Sequence, residues 1–273
     1  MKRLINKTPG LRGRWLLGLL PFALLLALYL GASDVRLEAN PNDKLLPSIE
    51  QMGAAMHNLA FEPSKRNGDY LFWVDTASSL QRLLLGVAIA ALIGLVLGLL
   101  TGALPLVTAG VSPLLTVVSL VPPLALLPIL FIVVGLGEVS KVALIAIGIT
   151  PFIARDILRR TQEIPAQQLI KAQTLGANSA QTIVRVLLPQ ILPRLIDAVR
   201  LSLGSGWLFL IAAEAIAATD GLGYRIFLVR RYLSMDIILP YVAWITLLAF
   251  VLDQLLARAN DWLFPWHKAG HES

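Results

Sequence analysis

The sequence predicts an all-α, polytopic membrane protein with about six transmembrane helices. Three features carry that expectation. Of its 273 residues 56% are hydrophobic and only 15% are charged, and the mean hydropathy is +0.72, whereas a soluble domain carries roughly 25% charged residues. Uncharged runs long enough to cross a bilayer recur along the chain. Lys and Arg distribute unevenly between the segments that join those runs.

The first 14 residues hold Lys2, Arg3, Lys7, Arg12 and Arg14 and no acid, and they are read as a cytoplasmic tail. Trp15 to Ala32 is uncharged and long enough to be a first span. A secretory leader begins the same way, but its apolar core usually runs 7–15 residues, so an uncleaved span is favoured. Residues 33–76 are polar, with the acids Asp34, Glu38, Asp43, Glu50, Glu62, Asp69 and Asp75 outnumbering the bases. They are expected on the extracytoplasmic side. Within them Ile49, Met52, Ala55, Met56 and Leu59 repeat at a helical period, which predicts an amphipathic helix lying on the membrane face.

A permease-like core of five further spans is expected over 77–259. Leu83 to Gly102 is the second span. Its Gly86, Gly94, Gly98 and Gly102 either let another helix approach closely or reflect the general glycine content of membrane helices. Val111 to Val134 is the third span, interrupted by Pro122, Pro123 and Pro128. A broken membrane helix frees carbonyls that must meet protein or a wet cavity, so this span is expected to line a path. Ser140 to Ile157, Leu195 to Ala218 and Ile237 to Leu256 complete the set, with residues 260–273 as a second cytoplasmic tail. With both termini inside, the inner segments hold 14 Lys and Arg and the outer ones 8, with Arg82 at a boundary. This accounts for the net charge of +6 without nucleic acid as a partner.

The chemistry classes excluded are equally plain. There is no Cys, and His57, His267 and His271 all lie outside the apolar runs, so neither a thiolate nor a metal centre is expected. No His in a span could serve as base for Ser205 within Gly204–Gly206, which removes an intramembrane serine hydrolase. No G-x4-G-K-[ST] loop occurs, so the chain is no ATPase. No cofactor is expected. Candidate path residues are Glu214, alone in the apolar stretch LFLIAAEAIAA, together with Trp207, Ser205, Ser202, Ser119, Thr116, Pro122 and Pro123. Glu214 either contacts solute or pairs with Arg225 or a backbone donor. Asp253 is expected to pair with Arg258, and Arg225, Arg230 and Arg231 either guide an anion or, the favoured reading, meet an acidic partner surface.

The inner segment from about 160 to 193 contains two helical stretches joined at Gly176, where glycine permits a tight turn, with Asn178 or Ser179 available to cap the second. A stiff element here suits the transfer of force from a soluble partner. Its spacing Ala172–x3–Gly176–x9–Val186–x–Leu188–Pro189 resembles the cytoplasmic coupling loop of ABC importer permeases. The stretches Ser78 to Gly98, Ser112 to Lys141, Leu203 to Ile226 and Phe264 to Lys268 are similar to the nitrate, taurine and aliphatic-sulfonate branch. The resemblance covers about Leu45 to Lys268 and implies a type I ABC importer permease fold in a bacterial cytoplasmic membrane. It implies Ala172, Leu175, Gly176, Ala177, Val186, Leu188 and Pro189 as the ATPase-coupling residues. It also implies two copies of an ATP-binding subunit, an extracytoplasmic solute-binding protein and a second copy of the chain as partners within membrane lipid. Where the family often has Glu-Ala-Ala, this chain has Ile170, Lys171 and Ala172. A small polar solute is expected, nitrate-, taurine- or sulfonate-like, or urea- or guanidine-like by similarity to a urea carboxylase-associated subgroup. The competing class, an ATP-independent secondary transporter or channel, would show inverted repeats and no such rigid loop.

Overall fold

The computed structural model describes residues 10–41, 43–65 and 68–266. Most of the amino-terminal tail and the end of the carboxy-terminal tail, including His267, Lys268 and His271, lie outside them. Helices α1 (Leu11–Ala39), α2 (Ile49–Phe61), α3 (Leu71–Ala103) and α4 (Pro105–Val118) come first. A short 3-10 turn (Pro123–Leu126) leads into α5 (Leu127–Val134), and α6 covers Glu138–Gln162. The segments α7 (Ala166–Thr174) and α8 (Ser179–Thr182) precede a π turn (Ile183–Leu187) that opens into α9 (Leu188–Ala217). Finally come α10 (Leu222–Val229) and α11 (Met235–Leu263).

Four stretches among the described residues are long and apolar enough to cross a membrane: α1, α3, the continuous 179–217 and α11. The pair formed by α4 and 123–134 is apolar enough when taken together but is bent by 82°, the geometry of a broken span or of a re-entrant loop. The helix α6 falls outside that set because Lys141, Arg155 and Asp156 dilute its apolar stretch, yet it runs the length of α3 as the sixth member of the bundle.

The glycines of α3 decide how. A Cβ on Gly86 would sit 2.7 Å from Ile145, on Gly94 2.7 Å from Ile153, on Gly98 2.5 Å from the Ala154 carbonyl and on Gly102 2.6 Å from Thr161. The partners advance with the glycines, so α3 and α6 run parallel in one register. Of the two readings of these glycines, close packing is the one realised, since only a missing side chain permits such approach. The helix α9 runs antiparallel, with Gly206 against Ile149 and Leu83 and Phe209 filling the space above Gly148. Leu83, Ile145, Ile149, Ile153, Ile157 and Leu210 are fully enclosed between these three helices. The helix α11 returns along α9: Arg200 binds Asp253 at 2.9 and 3.2 Å, and Asn260 reaches the Pro193 carbonyl at 3.2 Å. Asp253 therefore pairs with Arg200 rather than Arg258.

The helix α1 stands apart. Among its described side chains only Ser33 is buried, and its end is tied down by Tyr29 donating to Pro47 O at 2.7 Å and Ser33 to Leu46 O at 2.9 Å. It also outruns the expected 15–32, because Asp34 to Ala39 continue the helix beyond the apolar run. The helix α2 opens with a capping box between Ser48 and Gln51, and its packing is against α3 and α11.

Candidate translocation groove and coupling element

The polar residues of the bundle gather in three places: a charged knot at one end, a groove at the bent span, and the α7–α8 segment at the other end.

The knot centres on Glu214, which is completely buried. Its carboxylate accepts from Ser79 Oγ at 2.8 and 2.9 Å, from Arg82 Nη1 at 2.8 Å and from the Gly223 amide at 2.8 Å. Arg82 also binds Glu138 and the Asp220 side chain. Lys141 closes on Glu138 at 2.6 Å. Beside it, the buried Asp75 accepts from Arg225 Nε at 2.7 Å, from the Gly221 amide at 2.9 Å and from Tyr241 Oη at 3.1 Å. Gly221 has φ +115° and touches Glu214, so only glycine suits both its backbone and its space. Every donor around Glu214 is thus supplied by the chain itself. Its ionic partner is Arg82, while Arg225 serves Asp75. An unpaired carboxylate at membrane depth is costly, and here three donors, one of them a cation, offset that cost.

The groove lies where α4 breaks from α5. Pro122 and Pro123 bring no amide hydrogen, so the carbonyls of the last α4 turn lose their helical partners and the chain bends. A cavity of about 160 Å³ under the bend is lined by Ser119, Pro123, Gly148 and Phe152. A second, of about 180 Å³, is lined by Phe152, Asp156, Ser202 and Ser205. A third, of about 460 Å³, is lined by Ser112, Thr116, Arg155, Asp156, Arg159 and Gln162. Phe152 is shared by the first two and Asp156 by the last two, so they wrap one face of α6. Arg155 donates from Nη1 to Ser119 Oγ at 2.8 Å across the bend. Among the expected path residues, Ser119, Thr116, Pro123, Ser202 and Ser205 come together here, with Pro122 in the break itself. Trp207 and Glu214 do not: both are buried in the bundle, 5% and 0% exposed. Arg155 was hidden in the sequence by the basic cluster that follows it, which reads as a cytoplasmic loop.

The α7–α8 segment is rigid for a reason visible in its backbone. Gly176 has φ +83°, the Ala177 amide bonds Ala172 O at 3.0 Å and the Gly176 amide bonds Gln173 O at 2.9 Å. This is a Schellman cap, so Ala172, Gly176 and Ala177 form one device. Asn178 then starts α8 with a capping box to Gln181. The π turn carries the Leu188 amide to Ile183 O. Pro189 follows it without a donor, and the wider turn relieves the clash its ring would make in an α-helix. Gln190 Nε2 bonds Gln168 Oε1 at 3.0 Å, linking α9 to α7. Leu175 is 82% exposed and Ile170 57%, leaving an apolar knuckle facing outward.

A model of the family described as the binding-protein-dependent transport system inner membrane component matches residues 77–268. The chain belongs to that family. The match takes in Glu214 and Arg82, the groove and the α7–α8 segment together, and begins within α3, just after Asp75. This transport component is 37% identical over 73% of its length to the taurine transport system permease protein TauC of Escherichia coli (strain K12), covering 72% of that relative. It is 30% identical over 71% of its length to the bicarbonate transport system permease protein CmpB of Synechococcus elongatus (strain ATCC 33912 / PCC 7942 / FACHB-805), covering 69% of it. In fold it matches a chain of the MetNI methionine ABC transporter in an inward-facing conformation, with TM-score 0.60, 24% identity, and coverage of 71% of this chain and 94% of that one. It is thus an all-α inner-membrane permease component.

Proposed function

We propose that this permease passes a small polar solute from an extracytoplasmic binding protein to the cytoplasm by alternating access, driven by a separate ATPase. The observation that carries this reading is the Schellman-capped α7–α8 segment bonded to α9. A stiff element with an exposed Leu175 and Ile170 suits docking into a soluble partner, and its bond to α9 suits the transfer of that partner's movement to the groove. Ala172, Leu175, Gly176, Ala177, Val186, Leu188 and Pro189 form this coupling element. Two copies of the chain pair with two ATPase subunits, the α7–α8 end and both termini facing the cytoplasm. The path runs along Ser119, Pro123, Thr116 and Ser205, while Glu214 fastens the opposite rim. The relatives named for taurine and bicarbonate support a solute among small polar compounds.

The test is purification of the tagged protein in mild detergent, with co-purifying chains identified by mass spectrometry. A stoichiometric chain carrying a phosphate-loop lysine is expected, together with ATP-dependent uptake in proteoliposomes. Isolation of the chain alone, with solute movement in the absence of ATP, would replace this reading by a secondary transporter.

A further inference from the structure

Arg155 is an exposed cation toward the carboxy-terminal end of α6. It lies 17 positions along α6 from Glu138, about 25 Å at 1.5 Å per residue. Side chains in a helix lean toward its amino-terminal end. Arg155 therefore leans away from the α7–α8 end and toward the bend, where its guanidinium meets Ser119 Oγ at 2.8 Å. Neither Arg155 nor Arg159 forms an ion pair among the described residues, whereas Asp156 lies 3.7 Å from Arg160. The side chains lining the 460 Å³ cavity include two cations, Arg155 and Arg159, against the one carboxylate of Asp156, so the lining keeps a net positive charge. Four guanidinium N–H groups of Arg155 remain to be used, in the planar fork that matches two oxygens of one anion.

We infer that Arg155, with Ser119, is the station at which the permease holds an oxyanionic solute: a sulfonate, nitrate or carboxylate-like group engaged by the guanidinium fork at the break of the α4–α5 span. This rests on the permease reading above and names the solute class that the groove accepts. The taurine and bicarbonate of the relatives' names share such an oxyanion. The bend supplies the entry, because α4 and α5 cannot close over the proline pair. Ser119 Oγ, itself donating to Thr116 O at 2.8 Å, holds the arginine in place until an anion arrives.

The experiment uses the assembled importer in proteoliposomes, supplied in turn with taurine, nitrate, methanesulfonate and bicarbonate, and with guanidinium as the cationic comparator. The wild type is expected to move at least one oxyanion. Arg155→Gln should lower that uptake tenfold or more, the loss expected for a charge-assisted fork. Arg155→Lys keeps the charge without the fork and should raise the KM at least threefold with a smaller change in kcat. Co-purification of the ATPase with each variant verifies assembly; if Arg155→Gln fails it, the KM of Arg155→Lys decides. A wild-type KM in an assembled variant overturns the inference. So does transport of guanidinium with none of the four oxyanions, or no transport of any oxyanion by an importer that assembles. Absence of a co-purifying ATPase would instead sink the permease reading itself.

Discussion

Arg82 is the residue on which the buried end of the bundle depends. Its guanidinium serves Glu214, Asp220 and Glu138 at once, and among the described residues no other cation pairs with Glu214. Arg82→Ala would strand a fully enclosed carboxylate, a change that costs about 3–5 kcal/mol where one partner of a buried pair is removed. Glu214→Gln keeps an acceptor for Ser79 and Arg82 and leaves Arg82 two other carboxylates, so it should cost much less. Thermal unfolding of the two variants in detergent measures the difference; equal losses would show that Glu214 is not held by Arg82. Arg155 and Arg82 make a telling contrast. One is wrapped by carboxylates and fixed, the other faces a cavity with a hydroxyl as its neighbour.

Among the elements, the α7–α8 segment makes the sharpest demand on its sequence. Gly176→Ala meets no steric obstacle, as nothing lies within 4 Å of the added Cβ, so its cost is the left-handed backbone alone, about 1–2 kcal/mol. Gly176→Pro fixes φ near −65° and removes the amide that bonds Gln173, which dismantles the cap. Transport should uncouple from ATP hydrolysis in the proline variant and weaken mildly in the alanine variant, read as solute moved per ATP in proteoliposomes. Wild-type coupling in Gly176→Pro would exclude this segment as the transmitter. The segment was legible from sequence because a Schellman cap requires glycine and an Asn cap requires a small polar residue, both local rules. The bend at Pro122 and Pro123 was legible for the same reason. Glu214's partner was not, since Arg82 lies 132 positions away at the edge of an apolar run. The register of α3 on α6 was hidden too. Glycine spacing announces a close neighbour but carries no name for it. The helix α3 begins at Leu71, well before the apolar run, because Asp75, Ser79 and Arg82 face buried partners instead of water.

For the molecule as a whole, the absence of cysteine makes the native chain its own background for topology mapping. Lys65 and Gln167 are both exposed and lie on opposite sides in the proposed orientation. In spheroplasts, Lys65→Cys should react with a membrane-impermeant maleimide, while Gln167→Cys should react only after permeabilisation. The reverse pattern would invert the orientation, and labelling of both would remove α3 or α6 as a span. The placement of the knot bears on how such a molecule can move. The helix α9 is 30 residues long, about 45 Å, fastened by Glu214 near one tip and continuous with the π turn at the other. A rod held that way behaves as a lever with its fulcrum at the rim. A swing of roughly 6° displaces the free tip by about 4–5 Å but Ser205, nine residues from the fulcrum, by little more than about 1 Å. The aperture such a stroke opens is widest on the side where force is applied. In the proposed two-copy assembly, the far mouth would then be worked by the slide of one copy past the other.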